Sequence, residues 1–366
     1  MPRIIRFAAL VAALIIGWMW LFPADRSPSR VPLRGTSASN SADPKSPTLP
    51  QELDTSPAGM IAQLFERLRN GTFTPADLAA LRAALLAADP EQAIAAITAV
   101  LATGQDANTG ERFSLGEGGT LSGAPTMRVL LLDLLGRICK KSGSPAAAAL
   151  ARSLMERKTS ADEWAIALRN VGWSTPGETT YMAGKMREML RYEAWRRQPS
   201  GGFLETFDVI VFLRDASFTA DLQQIVTGED KALQRAAAIA MDRLAELNPL
   251  DVMNYLNTNP AEFSAKPMLR ADYFAKADFS QLAQRQAVET YLSRLDVENA
   301  EKNKLINGIA APGSFAAENL LTAPPPEDDP PQKIEALRKT VGDWIKDNPY
   351  PVLLPSLLQL QARIAE

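Results

Sequence analysis

A chain of 366 residues that is 46% hydrophobic can bury a large core, but its formal charge of −3 denies it the clustered cationic surface that nucleic acid demands. Histidine is absent, which excludes imidazole bases, Ser-His-Asp and Cys-His nucleophile systems and every histidine-containing metal site. Cys139 is the sole cysteine, so neither an intramolecular disulfide nor a thiolate cluster can form, and its place after Leu134 to Ile138 suits a small buried hydrophobe.

Arg3 and Arg6 precede an uncharged run from Phe7 to Phe22, which gains Ile4 and Ile5 if Arg6 snorkels to the headgroups. The run ends in Trp18-Met19-Trp20-Leu21-Phe22, bulky where signal cleavage needs small residues, and its tryptophans suit a membrane interface. Residues 1–22 therefore read as an uncleaved transmembrane signal-anchor, with the soluble domain outside the cytoplasm; secretion after cleavage is the alternative. Arg26, Arg30 and Arg34 beyond the segment weaken the positive-inside bias. Residues 23–57 hold seven Pro and seven Ser with almost no apolar periodicity, the composition of a disordered tether.

From residue 58 apolar side chains fall at helical spacing, as in Ile61, Leu64, Phe65 and Leu68. Capping residues followed by proline recur at Ser56-Pro57, Thr74-Pro75, Asp89-Pro90, Ser144-Pro145, Asn248-Pro249 and Asn348-Pro349, and Ser160 to Glu163 has the pattern of a capping box. These signals predict helices near 58–69, 75–88, 91–103, 125–140, 145–157, 161–172, 178–191, 201–213, 219–227, 231–247, 250–257, 281–295, 298–308, 332–346 and 352–364. Between the third and fourth, Phe113 and Leu115 alternate with polar residues, Gly118-Gly119 supplies a turn and Leu121 follows, so residues 105–123 read as a small β-hairpin excursion.

Short turns containing Pro and Asx between successive helices make the chain resemble HEAT-type helical repeats, and the resemblance implies an all-α fold: an irregular stack of antiparallel helix pairs, an α-solenoid. The Asx-Pro sites keep no constant period, so a compact bundle or an α/α toroid stays open. The domain spans 58–321, a Pro-rich linker 322–331 follows, and residues 332–366 make a C-terminal helical pair.

Three groups of residues stand out as sites. Asp106, Asn108 and Glu117 imitate the first, third and twelfth positions of an EF-hand, but the fifth is Gly110 and the sixth Glu111 where a glycine is needed. Glu205 and Asp208, three apart on a mostly apolar helix, would suit an acid–base pair, and Asp133 and Arg137 an intrahelical ion pair. Arg187, Arg191, Trp195, Arg196 and Arg197 form the densest cationic and aromatic cluster, the chemistry of an interface anchor or of a membrane-surface contact.

With no catalytic set evident, the expected function is that of a non-catalytic, membrane-tethered scaffold or protein-interaction module. The alternative is a carboxylate-dependent hydrolase acting on envelope polysaccharide. Protein partners and the membrane are expected; nucleic acid and cofactors are not.

Overall fold

Ser56, Thr74 and Asp89 precede prolines that open helices α1 (Pro57–Asn70), α2 (Pro75–Ala87) and α3 (Pro90–Thr103). Ser56 Oγ accepts from Gly59 N at 3.1 Å and Asp89 Oδ1 from Gln92 N at 3.0 Å, while the Asp77 carboxylate accepts from Thr74 N at 2.8 Å. Each bond satisfies a backbone N–H that lacks an intrahelical acceptor. The computed structural model describes residues 54–310, 319–323 and 331–365; the expected anchor and nearly all of the tether lie outside them. No helix among the described residues is long and apolar enough to cross a membrane.

The hairpin follows, with β1 (Ser114–Leu115) and β2 (Leu121–Gly123) antiparallel around a 3-10 turn at Glu117–Gly119. Leu115 and Leu121 bury their side chains while their polar neighbours face outward, the two-residue period of a half-buried ribbon. Beyond it the described chain is helical: α4 (Met127–Ser142), α5 (Ala146–Leu154), α6 (Ala161–Ser174), α7 (Thr179–Arg191) and the one-turn α8 (Glu193–Arg197). Next come α9 (Gly201–Glu205), α10 (Phe207–Leu213), α11 (Thr219–Val226), α12 (Lys231–Leu247), α13 (Pro249–Thr258) and α14 (Pro267–Phe274). The last four are α15 (Leu282–Ser293), α16 (Asn299–Gly308), α17 (Pro331–Asp347) and α18 (Leu354–Ala365).

Four details depart from expectation. The helix expected over 201–213 is interrupted at Thr206, whose hydroxyl donates to Gly202 O at 2.5 Å, a back-bond that bends helices. Helices α8 and α14 went unforeseen: the first is too short to show a period, and the second opens on Lys266, which cannot cap. Asn348 ends α17 rather than starting α18; it takes φ 48°, and its N donates to Trp344 O at 3.1 Å. Glu163 does not turn back to complete a capping box at Ser160 but reaches across to Arg128 on α4, at 2.9 and 3.0 Å.

Most helices pack on the next and the next but one, as α1 on α3, α4 on α6, α10 on α12, α14 on α16 and α16 on α18, while α9 packs on α6 and α7 on α10. Apolar residues at helical spacing, such as Leu130, Leu134, Trp164, Leu168, Ile210 and Met241, fill the spaces between them and are fully buried. The C-terminal helices are tied in by Trp344 Nε1, which donates to Glu289 Oε1 at 3.2 Å, and by Ser356 Oγ, which donates to Asn303 Oδ1 at 2.7 Å. Buried arginine–carboxylate pairs cross-link the next-but-one contacts: Arg128–Glu163 and Asp133–Arg169 join α4 to α6, Asp208–Arg243 joins α10 to α12, and Arg270–Glu301 joins α14 to α16.

Candidate functional site

The calcium-like residues serve the fold. Asp106 Oδ1 accepts from Ala107 N at 2.9 Å and Arg128 N at 3.0 Å, helping to cap α4, and Asn108 Oδ1 accepts from Gly110 N at 2.7 Å. Glu117 is exposed on the hairpin turn. Among the described residues no group of three or more His, Cys, Asp or Glu is placed to hold a metal. Cys139 is buried, and desolvation pushes its thiol above the ordinary range, as suits an inert small hydrophobe.

Glu205 and Asp208 occupy different environments. Glu205 is exposed, whereas Asp208 is buried at 6% exposure and held at 2.7 Å by Arg243 of α12. Asp208 Oδ2 accepts from Leu321 N at 2.6 Å and Thr322 N at 2.9 Å, and Oδ1 accepts from the Thr322 hydroxyl as well as from Arg243. Those four donors fill the acceptor capacity of a carboxylate, so Asp208 has none left for a substrate or a catalytic water.

The partners of Asp208 belong to a non-helical segment, residues 319–323, that the chain returns to α10 from more than a hundred residues away. Arg243 Nη1 donates to Asn319 Oδ1 at 2.8 Å, and Nη2 donates to Thr322 Oγ1. Leu320 is fully buried. Its carbonyl rests against Gly119 of the hairpin turn, where a Cβ would stand 2.2 Å from Leu320 O and where φ is +77°, so both space and backbone require glycine. Gly172 on α6 faces the Leu321 side chain, where an added Cβ would meet its terminal methyl carbons at 2.9 Å, a contact a shift of that side chain relieves.

What places Gly119 is the most deeply buried ion pair of the described residues. Arg169 and Asp133 have side chains at 0% exposure and meet at 2.5 Å. Arg169 Nη1 also donates to Gly119 O at 2.8 Å, and Asp133 Oδ1 accepts from Leu121 N at 3.1 Å, so the pair grips the hairpin where its turn runs into β2. Arg137, the partner expected for Asp133, also pairs with it, more loosely, at 3.8 Å. Burial lowers the Arg169 pKa from its ordinary value, with the Asp133 charge opposing. Gly136 makes the room: a Cβ there would lie 2.1 Å from Asn170 Oδ1, which accepts from Arg169 Nη2 at 2.9 Å.

The cationic cluster divides. Arg187 and Arg191 of α7 line an open groove of about 420 Å³ with Lys158, Gly184, Glu188 and Tyr192. Trp195 is half-buried, packed edge-on against Trp164 at 5.3 Å and Tyr192 at 4.8 Å between ring centroids. Arg196 and Arg197 are exposed, and Arg197 pairs with Glu193 on its own helix. Arg187 lies over the Phe218 ring at 4.2 Å and reaches Asp215 at 3.2 Å, while Arg191 is exposed and forms no ion pair among the described residues.

Burial would raise the Asp215 pKa, but hydrogen bonds from Ser217 and the Arg187 charge outweigh it and hold the carboxyl below the usual range. A depressed folded-state pKa contributes stability that is present above the unfolded value, about 4, and is lost as pH falls through the folded value. Asp215→Asn should therefore flatten the decline in melting temperature below about pH 4 and leave its pH dependence above pH 5 unchanged. Thermal melts from about pH 2.5 to 7 check this; parallel acid limbs for the two proteins would count against it.

No protein-family model matches the chain, and neither a curated protein nor a solved structure matches it. Function rests on the residues themselves.

Proposed function

We propose that this protein is a non-catalytic interaction module, a stack of HEAT-like helix pairs presented from a membrane on the tether of residues 23–57. Its docking face is the groove on α7, and its partner is a protein segment of acidic character. The observation that carries this reading is the groove itself: Lys158 pairs with Glu188 and Arg187 with Asp215 and Asp221, which leaves Arg191 as an exposed lining cation with no ion pair among the described residues, on a domain that is mildly acidic overall. Tyr192 adds an aromatic wall, and Arg with Tyr is the pairing found where interfaces concentrate their energy. The hydrolase alternative loses its acid–base pair, because Asp208 is saturated by donors and Glu205 is exposed.

Arg191 provides the cleanest test, since it forms no ion pair or side-chain hydrogen bond among the described residues. Affinity capture from detergent-solubilised membranes should recover partners with the wild-type chain, and Arg191→Glu should lower that recovery at least tenfold; loss of an anchoring arginine is worth about 2 kcal/mol. Recovery should also fall with added salt, because exposed charge pairs are screened. Equal recovery by the two proteins at low salt would remove the groove from the account.

A further inference from the structure

Glycine is the poorest helix former after proline, so a glycine inside a helix calls for a reason. At several such positions the packing of the fold supplies one. A Cβ at Gly136 on α4 would lie 2.1 Å from Asn170 Oδ1, and one at Gly308, where α16 ends, 3.0 Å from Ala275 Cβ. Gly184, in the interior of α7, differs: it is exposed, and a Cβ built there would meet nothing within 4 Å. Its φ is not positive, so alanine would fit without strain. Gly342 on α17 shares that open surrounding, but Gly184 lies in the groove with Arg187, Glu188, Arg191 and Tyr192. The missing side chain leaves a notch there that nothing among the described residues fills.

Gly184, Arg187, Glu188 and Arg191 share one face of α7, the last seven residues from the first. Glu188 is paired with Lys158 and Lys185, both at 3.3 Å, and Arg187 is held by Asp215, Asp221 and Ser217, so Arg191 is the cation left for a ligand. Seven helical residues rise about 10.5 Å, which an extended peptide covers in about three residues.

We infer that the groove takes an extended partner segment carrying an aromatic side chain, which seats on Gly184, and a carboxylate three residues from it, which pairs with Arg191. This rests on the α7 groove being the docking face, and adds to its acidic ligand an apolar half. The charge of Arg191 selects the carboxylate. An aromatic ring suits the notch because the groove's cations are placed to meet ring faces: Lys158 already lies 5.0 Å from the Tyr192 ring centroid. A ring seated there also removes its apolar area from water, which an acid alone does not.

The test uses the full chain in mild detergent and fluorescein-labelled Asp-Ser-Ser-Trp-Ser-Ser-Asp, amidated at its C-terminus and read by anisotropy. Its two acids place a carboxylate three residues from the ring in either chain direction. It should bind about tenfold more tightly than the same peptide with Ala for Trp, and about tenfold more tightly than the one with Asn for both Asp. Gly184→Leu should reduce the affinity for the tryptophan peptide to that for the alanine peptide, without lowering the melting temperature, since leucine is the better helix former. Should leucine lower it, Gly184→Ala takes its place and must weaken tryptophan-peptide binding while the melting temperature rises.

The outcomes separate the two levels of the reading. Equal binding of the tryptophan and alanine peptides, or a Gly184 variant that keeps the preference, overturns the notch and leaves the groove as a reader of charge. Binding of neither acidic peptide overturns the docking face, and the notch with it. Gly342→Ala is the control: if it weakens binding as the Gly184 variants do, affinity follows helix stability rather than the notch, and the inference fails.

Discussion

Asp133→Ala should destabilise the fold by about 3–5 kcal/mol, because it leaves the Arg169 charge buried without its counter-ion. The Arg169 side chain has no exposure and cannot swing to water, and its other partners, Gly119 O and Asn170 Oδ1, are neutral. Losing Asp133 also deprives Leu121 N of its acceptor, so the hairpin should loosen together with α4 and α6. Replacing both charges, as Asp133→Leu with Arg169→Met, should be far less damaging than the sum of the single changes, since burying ions is itself unfavourable. Urea denaturation of the four proteins gives the coupling. An Asp133→Ala loss below about 1 kcal/mol would mean that the site relaxes to admit water and that the pair is not a structural tie.

Trp164→Ala should cost about 3–5 kcal/mol, the range for removing a large aromatic from a packed core. Trp164 is fully buried, its Nε1 donates to Arg157 O at 2.9 Å, and its ring carries Trp195 edge-on. Trp195→Ala removes a half-buried ring with two aromatic contacts worth about 0.5–1.5 kcal/mol each, so its penalty should be about 1–3 kcal/mol. The comparison tells a core role from an interface role for Trp195 without any partner in hand. Equal shifts of the urea midpoint for the two substitutions would make Trp195 a full member of the core. A negligible shift for Trp195→Ala would leave its ring free to serve an interface.

Much of the fold was legible because its causes are local. Ser56-Pro57, Thr74-Pro75 and Asp89-Pro90 start helices for reasons contained within four residues, and the change of period at Phe113, Leu115 and Leu121, with Gly118-Gly119 between, marks the hairpin. Where a signal depended on a distant group, the local reading left that group out. Glu163 completes a capping box on paper, yet the buried Arg128 offers it a stronger partner. Asp133 does pair with Arg137 along its helix, at 3.8 Å, yet its nearer partner, Arg169 at 2.5 Å, lies 36 residues on. A usable clue was present: Asp133, Arg169 and Asp208 each interrupt otherwise apolar helix surface, and charged residues are almost never fully buried unless paired.

The candidate sites follow the same division. Arg187 and Arg191 share a helix face by their spacing alone, so the sequence sufficed to bring them together in one groove. The packing around residues 319–323 could not be read in advance, because Gly119, Gly172, Asp208 and Arg243 come from four separate elements.

By itself, then, the sequence determined a helical chain, the positions of most helix starts, the hairpin and the absence of imidazole chemistry, all properties of neighbouring residues or of composition. Only the tertiary structure decided which charges meet and which backbone lies against which glycine. Those pairings depend on how helices distant in sequence stack on one another, and burial there makes an unpaired charge costly.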